Sequence, residues 1–369
     1  MATATVQLRP RVRRGGIRGR EGTAGWVFVA PVVVVLGLFL VIPILMAAWV
    51  SLSDWTGKGS PLSSKVGFVG LDNYKAILTT DGLARSDFMT SIRNNFYYVL
   101  LVVPLQTLLA LGLALTLNRQ RLRAKSFFRT AYYFPSVTSS VAVSIVFLFV
   151  FSSSGVVNAA LAKIGVNGPQ WFADPRGILQ LLLGKLGIVD ANSPPGALTN
   201  HSVLGLSWWD WLSGPSVAMC AIIALVVWTT AGTFMLMFLA ALQDIPVEVE
   251  ESAELDGATG WQRLRFVTLP MLRPTMFLVL TLGLIGTWQV FDQIYIMSQG
   301  DPGKTTLTPA YLSFTTSFKS FQWGQGTAMS FILFAIIVAL TLLQRWFLRD
   351  RSDEAPRRRR RTLARGGTS

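Results

Sequence analysis

Between Glu21 and Asp54 the chain carries no charged residue, and positions 26–50 are almost entirely apolar. An α-helix rises about 1.5 Å per residue, so about 20 apolar residues suffice to cross about 30 Å of hydrocarbon. In lipid the backbone must satisfy its own polar groups, which leaves helix as the local structure of such a run. Comparable runs follow at about 94–117, 130–151, 216–241, 275–297 and 326–345. The pattern predicts an all-α integral membrane protein with six transmembrane helices. Only 14% of the residues are charged, where a soluble domain carries about a quarter. A single cysteine, Cys220, excludes an intramolecular disulfide, and a single histidine, His201, argues against zinc or triad chemistry. No catalytic residues and no metal site are expected.

The net charge of +14 is distributed by topology rather than spread as a nucleic-acid surface. Of 33 basic residues, 23 fall in the tail 1–25, the loop 118–129, the loop 242–274 and the segment from Arg345 onward. The alternate loops 51–93, 152–215 and 298–325 hold the rest over far more residues. Both termini are therefore expected in the cytoplasm, as basic tails 1–25 and 348–369 flanking a six-helix transmembrane domain at 26–347. The arginines at 357–361 read as an anchor facing anionic lipid headgroups, so no nucleic-acid partner is expected. The first run is too long for a cleaved signal peptide and lacks an Ala-x-Ala exit, so a retained anchor is expected. Segment 178–189 is apolar but short and contains Lys185; Leu179, Leu182, Leu183 and Leu186 suit an amphipathic surface helix rather than a seventh span.

The loop 242–274 differs from every other connector. It is long, cytoplasmic by the charge pattern, and acidic, with Asp244, Glu248, Glu250, Glu251, Glu254 and Asp256. Pro246 suits the first turn of a short helix, and the carboxylates that follow complement its positive N-terminus. Gly257 suits the left-handed closing residue, while Thr259 and Gln262 form a capping box opening a second helix that should stop near Pro270. A solvated connector is the bland alternative, although connectors in helical bundles normally run two to eight residues.

Glu251-Ser252-Ala253, Gly257 and, after nine intervening residues, Val267-Thr268-Leu269-Pro270 resemble the EAA loop of ATP-binding-cassette importer permeases, whose pattern is E-A-A-x-x-x-G, nine residues, then I-x-L-P. Ser252 and Val267 are the departures. Phe68-Val69-Gly70-Leu71-Asp72-Asn73-Tyr74, the segment RTAYYFP at 129–135, and QVFDQIYIM at 289–297 followed by Gly300-Asp301-Pro302-Gly303 are similar to segments of the maltose-type carbohydrate branch. The resemblance implies a type I importer permease in the bacterial plasma membrane. It also implies that helix 246–258 is a coupling helix, with Glu251, Ala253, Asp256, Gly257, Ala258 and Pro270 forming the ATPase-docking element. Two ATPase subunits would carry ATP and Mg, this chain binding no cofactor. A second permease subunit, in a heterodimer, and an extracytoplasmic solute-binding protein would complete the assembly. About thirty residues near 177–207 look inserted in the outer loop, and contact with the binding protein is one role for them.

Asp292 is the ionisable residue well inside a span, and such groups usually face a polar pathway. Trp288, Asp292 and Tyr295 recur at helical spacing, so with Gln289 they are candidate lining for a sugar pathway. The competing reading is the aromatic belt at the outer interface. Ser136, Thr138, Ser139, Ser140 and Ser144 either line a cavity or allow close helix packing, with packing the favoured reading. The segment Gly300–Thr305 mimics the end of a phosphate-binding loop, but Ser298 stands where the leading glycine is required. An ion-coupled secondary transporter of a small polar solute remains the alternative; it requires coupling-ion sites, and internal repeats usually accompany them. A membrane enzyme acting on a lipid-linked substrate would have to use the acids at 248–256, whose spacing serves a capped helix better.

Overall fold

The computed structural model describes residues 20–119, 124–187, 196–203 and 205–347. The expected tails therefore lie outside the described residues, apart from positions 20–25. The first apolar run forms α1 (Arg20–Leu36) and α2 (Ile42–Ser51), joined by a π-helical turn at Gly37–Val41. This span is exposed along nearly all its length and reaches the bundle through α2, which packs on the last helix. The segment FVGLDNY clasps its end. Phe68 stacks on Trp49 with centroids 5.9 Å apart, and α3 (Asp72–Leu78) brings Asn73 Nδ2 to the carbonyls of Ser51 and Ser53 at 3.0 and 2.9 Å. Tyr74 donates to Ser51 Oγ at 2.9 Å. These bonds satisfy carbonyls that a helix C-terminus leaves open.

The bundle is built on α4 (Leu83–Asn118) and α11 (Val217–Gln243), whose mutual contact is the most extensive in the chain. α4 starts well before the expected position 94, so its first turns rise beyond the apolar run and meet the outer loops. Between these two helices lie α5 (Lys125–Val137), α6 (Ser140–Val150), α7 (Val156–Lys163), α8 (Ile178–Lys185), the single-turn α9 (Gly196–Thr199) and α10 (Trp208–Leu212). Two-residue antiparallel strands, Ser202–Val203 and Leu206–Ser207, precede α10. As expected, the Leu179–Leu186 segment is a short, half-exposed helix and not a span.

The expected straight third span is instead two helices bent by 97° between Val137 and Ser140. Pro135 lacks an N–H, and Thr138 and Ser139 take extended conformations that end the ladder. Ser136 Oγ donates to the Thr229 carbonyl at 2.6 Å, and Gly232 of α11 faces the Tyr132 carbonyl so closely that a Cβ would collide with it. Here the small residues do serve close packing. The fifth span is likewise interrupted. α15 (Arg273–Trp288) stops, residues 289–291 leave the helix, and α16 (Asp292–Met297) continues. α17 (Pro309–Phe314) and a π-helical turn at Thr315–Lys319 precede the final α18 (Trp323–Phe347). Among the described residues five helices are long and apolar enough to cross a membrane, or six when the bent pair counts as one span.

Two larger buried clusters divide the bundle, beside a small third one of Trp288, Leu333 and Ile337. One joins Phe88, Tyr98, Met219, Ile222, Ile294, Tyr311 and Met329; the other joins Ala114, Leu117, Phe238, Leu242 and Leu272. Because Gly232 admits α5 without a gap, Gly232→Val should force the helices apart at a cost of about 1–3 kcal/mol. A thermal-shift measurement in detergent checks it, with a lower unfolding midpoint expected.

Candidate functional site: a capped loop and a polar cleft

At one end of the bundle, Ile245 and Leu272 are buried with Leu117 and Leu242, and they fix the two ends of a projecting loop. Pro246 stands immediately before α12 (Val247–Leu255) in extended conformation, rather than in its first turn. Glu248 and Glu250 occupy that turn, where the helix dipole favours them. Gly257 closes the helix with φ +77°, the Ala258 N–H donating to the Ala253 carbonyl and the Gly257 N–H to the Glu254 carbonyl, both at 3.0 Å. This closure satisfies carbonyls at the helix end and needs a residue without a Cβ. Nothing lies within 4 Å of where a Gly257 Cβ would stand, so a substitution there meets backbone strain but no clash.

α13 (Gly260–Arg263) opens with the expected box. The Thr259 N–H donates to Gln262 Oε1 at 2.7 Å, and the Gln262 N–H donates to Thr259 Oγ1 at 3.4 Å. The second helical run ends at Met271, close to Pro270 as expected. A π-helical turn at Leu264–Thr268, closed by the Leu269 N–H on the Leu264 carbonyl, carries the chain through Pro270 into α14 (Leu269–Met271). The wider turn gives room to a proline ring that would strike the carbonyl four residues back in a regular helix. Arg263 bridges to Glu254 at 3.0 Å across the two arms; both are solvent-facing, so the pair contributes under about 1 kcal/mol.

Glu251, Asp256 and Gly257 are exposed on this loop, while Ala253 and Ala258 are half-buried. Val247, Leu255, Trp261 and Phe266 are 62%, 89%, 67% and 69% exposed. Apolar side chains clustered on a charged loop mark an interaction surface.

The second part of the site lies at the junction of the two buried clusters. A cleft of about 290 Å³ is lined by Gln106 of α4, Thr230 of α11, and Gln289, Phe291, Asp292 and Gln293 at the break in the fifth span. A neighbouring hollow of about 260 Å³ shares Thr230 and Gln293 and adds Ser136, Thr138 and Ser140. Thr230 donates to Gln106 Oε1 at 2.7 Å, whereas Gln106 Nε2 is buried without a partner beside Gly283. Ser140 donates to Asp292 Oδ2 at 2.6 Å, so the first residues after the two helix breaks hold each other. The serine-rich stretch thus lines a cavity as well as packing.

Gln289 and Asp292 come together as the sequence suggested, but Trp288 and Tyr295 do not join them. The break at 289–291 destroys the helical spacing that would have aligned them. Trp288 is buried against Leu333 and Ile337, and Tyr295 stacks on Phe291 at 5.5 Å, outside the cleft lining. Gln106, Thr230 and Gln293 were missed by sequence reasoning. An amide in the middle of an apolar span, as at Gln106, was the available signal, because such a group requires a partner in lipid.

In the outer loop an open hollow of about 1160 Å³ is lined by Gln170, Asp174, Arg176, Gln180 and Lys185 among others. Arg176 hydrogen-bonds the Asp174 carboxylate and holds it below the usual carboxylate range. Residues 188–195 and 204 of the expected insertion lie outside the described residues. No group of three or more potential metal ligands occurs among the described residues.

Apolar spans, helix breaks around a polar cleft and a rigidly capped loop define a membrane permease. The family of binding-protein-dependent transport system inner membrane components matches residues 106–353. The lactose transport system permease protein LacF of Rhizobium radiobacter is 31% identical over 341 residues, 92% of this chain and 98% of that protein. The multiple sugar-binding transport system permease protein MsmF of Streptococcus mutans is 30% identical over 320 residues, 87% of this chain and 93% of that protein. A bacterial ABC transporter involved in the import of the acidic polysaccharide alginate superimposes with a TM-score of 0.63 at 19% identity, covering 89% of this chain and 96% of that one. At that identity the likeness is one of fold. The chain belongs to the binding-protein-dependent transport system inner membrane components. The resemblance to sugar-type ATP-binding-cassette importer permeases is borne out, and with it a multi-pass place in the bacterial plasma membrane.

Replacing Thr259 by alanine removes the cap on α13 and should cost about 1 kcal/mol locally. Hydrogen exchange of the amides at 260–263 should accelerate several-fold, with the bundle helices unchanged.

Proposed function

We propose that this chain is one of two permease subunits in an ATP-driven importer that moves a sugar or oligosaccharide into the cytoplasm. The observation that carries the coupling part is α12: a short acidic helix, closed by Gly257 and braced by the capped second arm, that presents Val247 and Leu255 to solvent. A helix held rigidly at both ends transmits force, and exposed apolar groups among carboxylates suit a groove on a partner. Glu251 and Asp256 supply polar contacts to an ATPase subunit, Ala253 and Ala258 pack α12 on its supporting arm, and Pro270 sits where that arm turns into the fifth span. ATP and Mg belong to the two ATPase subunits and none to this chain. Both termini are cytoplasmic on the charge distribution, which puts this loop on the ATPase side.

Substrate access alternates as the ATPase pair closes and draws the coupling helices together. The helix breaks at 138–139 and 289–291 are where the spans can pivot, and the cleft between them offers what a sugar needs. Gln289 and Asp292 accept from hydroxyls, Gln106 Nε2 donates, and Phe291 supplies an aromatic wall. The cleft is open on one side in the single chain, which suits completion by a second, similar permease in a heterodimer. An extracytoplasmic binding protein delivers the substrate. The sugar assignment draws on relatives named for lactose, multiple sugars, and trehalose and maltose.

Gly257→Val tests the coupling role. The φ of +77° disfavours a β-branched residue, while no neighbour is displaced. Sugar uptake should be lost with the permease still inserted and present at normal level; undiminished uptake would remove α12 from the mechanism. For the cleft, Asp292→Ala should lower uptake at least about tenfold, the scale of one lost charge-assisted hydrogen bond. Uptake kinetics in cells at matched expression read the effect.

A further inference from the structure

Six aromatic rings form an unbroken row from the cleft to the end of the first span. Phe291 lines the cleft and stacks on Tyr295 at 5.5 Å; Phe314 meets these two rings edge-on at 5.1 and 5.7 Å. Phe314 stacks on Phe318 at 4.9 Å, Phe318 meets Trp323 at 4.5 Å, and Trp323 meets Trp55 at 5.3 Å. Tyr311, buried, touches Phe291 and Tyr295 from behind and fixes that end of the row. The row is not a sealed core: Tyr295 and Phe318 are 39% and 53% exposed, and Phe291, Phe314, Trp323 and Trp55 are half-buried.

The row is aromatic throughout, whereas the exposed surface of the first span is mixed. The exposed apolar residues of that span are mostly valine, leucine and isoleucine, with Trp26, Phe28 and Phe39 among them. Polar groups stand at the Phe291 end of the row: Asp292 and Gln289 line the cleft there, and Lys319 lies over Tyr311 with Nζ 5.9 Å from the ring centre. Ring faces bordered by hydrogen-bonding groups match a pyranose or furanose, whose C–H face is apolar and whose rim is hydroxylated.

We infer that this row is a carbohydrate-binding track along which a sugar chain slides from the outer face of the permease to the cleft at Asp292. The inference rests on the sugar reading above and adds a second binding element to it. Each ring supplies a weak contact, and neighbouring ring centres lie 4.5–5.7 Å apart, a step short enough for a sugar to pass from one to the next. Continuity with the cleft favours a transported sugar over lipid or the partner permease as the occupant.

The test is uptake of radiolabelled lactose, maltotriose and arabinotriose by cells expressing the complete transporter. Phe318→Leu keeps the apolar volume and removes the ring face, whereas Phe318→Tyr keeps the face. For whichever sugar the wild type takes up, leucine should raise KM about threefold to tenfold, the weight of one aromatic contact. Tyrosine should stay close to wild type at equal amounts of assembled complex. Wild-type kinetics in the leucine variant, or equal losses in both variants, would overturn the track and leave the sugar reading standing. Absence of uptake of all three sugars by the wild type would overturn the sugar reading, and the track with it.

Discussion

The structure turns on how backbone groups are satisfied where two apolar helices stop inside the bundle. Hydrocarbon offers no hydrogen bonds, so each interrupted turn requires a side chain from a neighbour. At the break in the fifth span, Asn95 Nδ2 reaches the Trp288 carbonyl at 3.4 Å and Thr308 Oγ1 reaches the Val290 carbonyl at 3.2 Å. Asn94, one residue earlier on α4, holds the following loop by donating to the Lys304 and Leu307 carbonyls at 2.8 and 3.0 Å. At the break in the third span, Ser140 is tied to Asp292 and Ser136 to α11. The bonds at the fifth-span break serve its backbone carbonyls, while those at the third-span break tie its flanking residues to α11 and to Asp292.

Those breaks connect stability to transport. A continuous apolar helix presents carbon to its neighbours, whereas an interrupted one presents carbonyls, amides and the side chains that serve them. The cleft at Gln106, Thr230 and Asp292 sits between the two packed clusters because the helices there cannot pack uniformly. A polar cleft thus arises from local departures from regular structure. The loop at α12 uses the opposite device: Gly257 closes α12, the Thr259–Gln262 box opens α13, and buried Ile245 and Leu272 anchor the loop's two ends.

Much of this was readable in the sequence. Charge-free runs placed the spans, and Gly257 with the Thr259–Gln262 pair placed the turn and the cap, because each reports a local backbone need. The breaks were not readable. Nothing at Gln289–Phe291 excludes helix; tertiary partners on α4 and in the loop before α17 decide the matter. That is why the periodic reading of Trp288, Asp292 and Tyr295 failed while Gln289 and Asp292 kept their place. The bend at Thr138 was hinted at by Pro135, yet prolines at 43 and 104 sit inside helices that continue. Asn73 was recognisable as part of a motif, but its grip on the Ser51 and Ser53 carbonyls required the fold.

The central claim is that this chain works as one permease of a larger ATP-driven assembly. Purifying the tagged chain in mild detergent, with identification and stoichiometry of what accompanies it, tests that claim most directly. The account predicts two ATPase subunits and one further multi-span permease for each copy of this chain. A homo-oligomer free of any ATPase, under conditions that keep known transporters of this type intact, would contradict it.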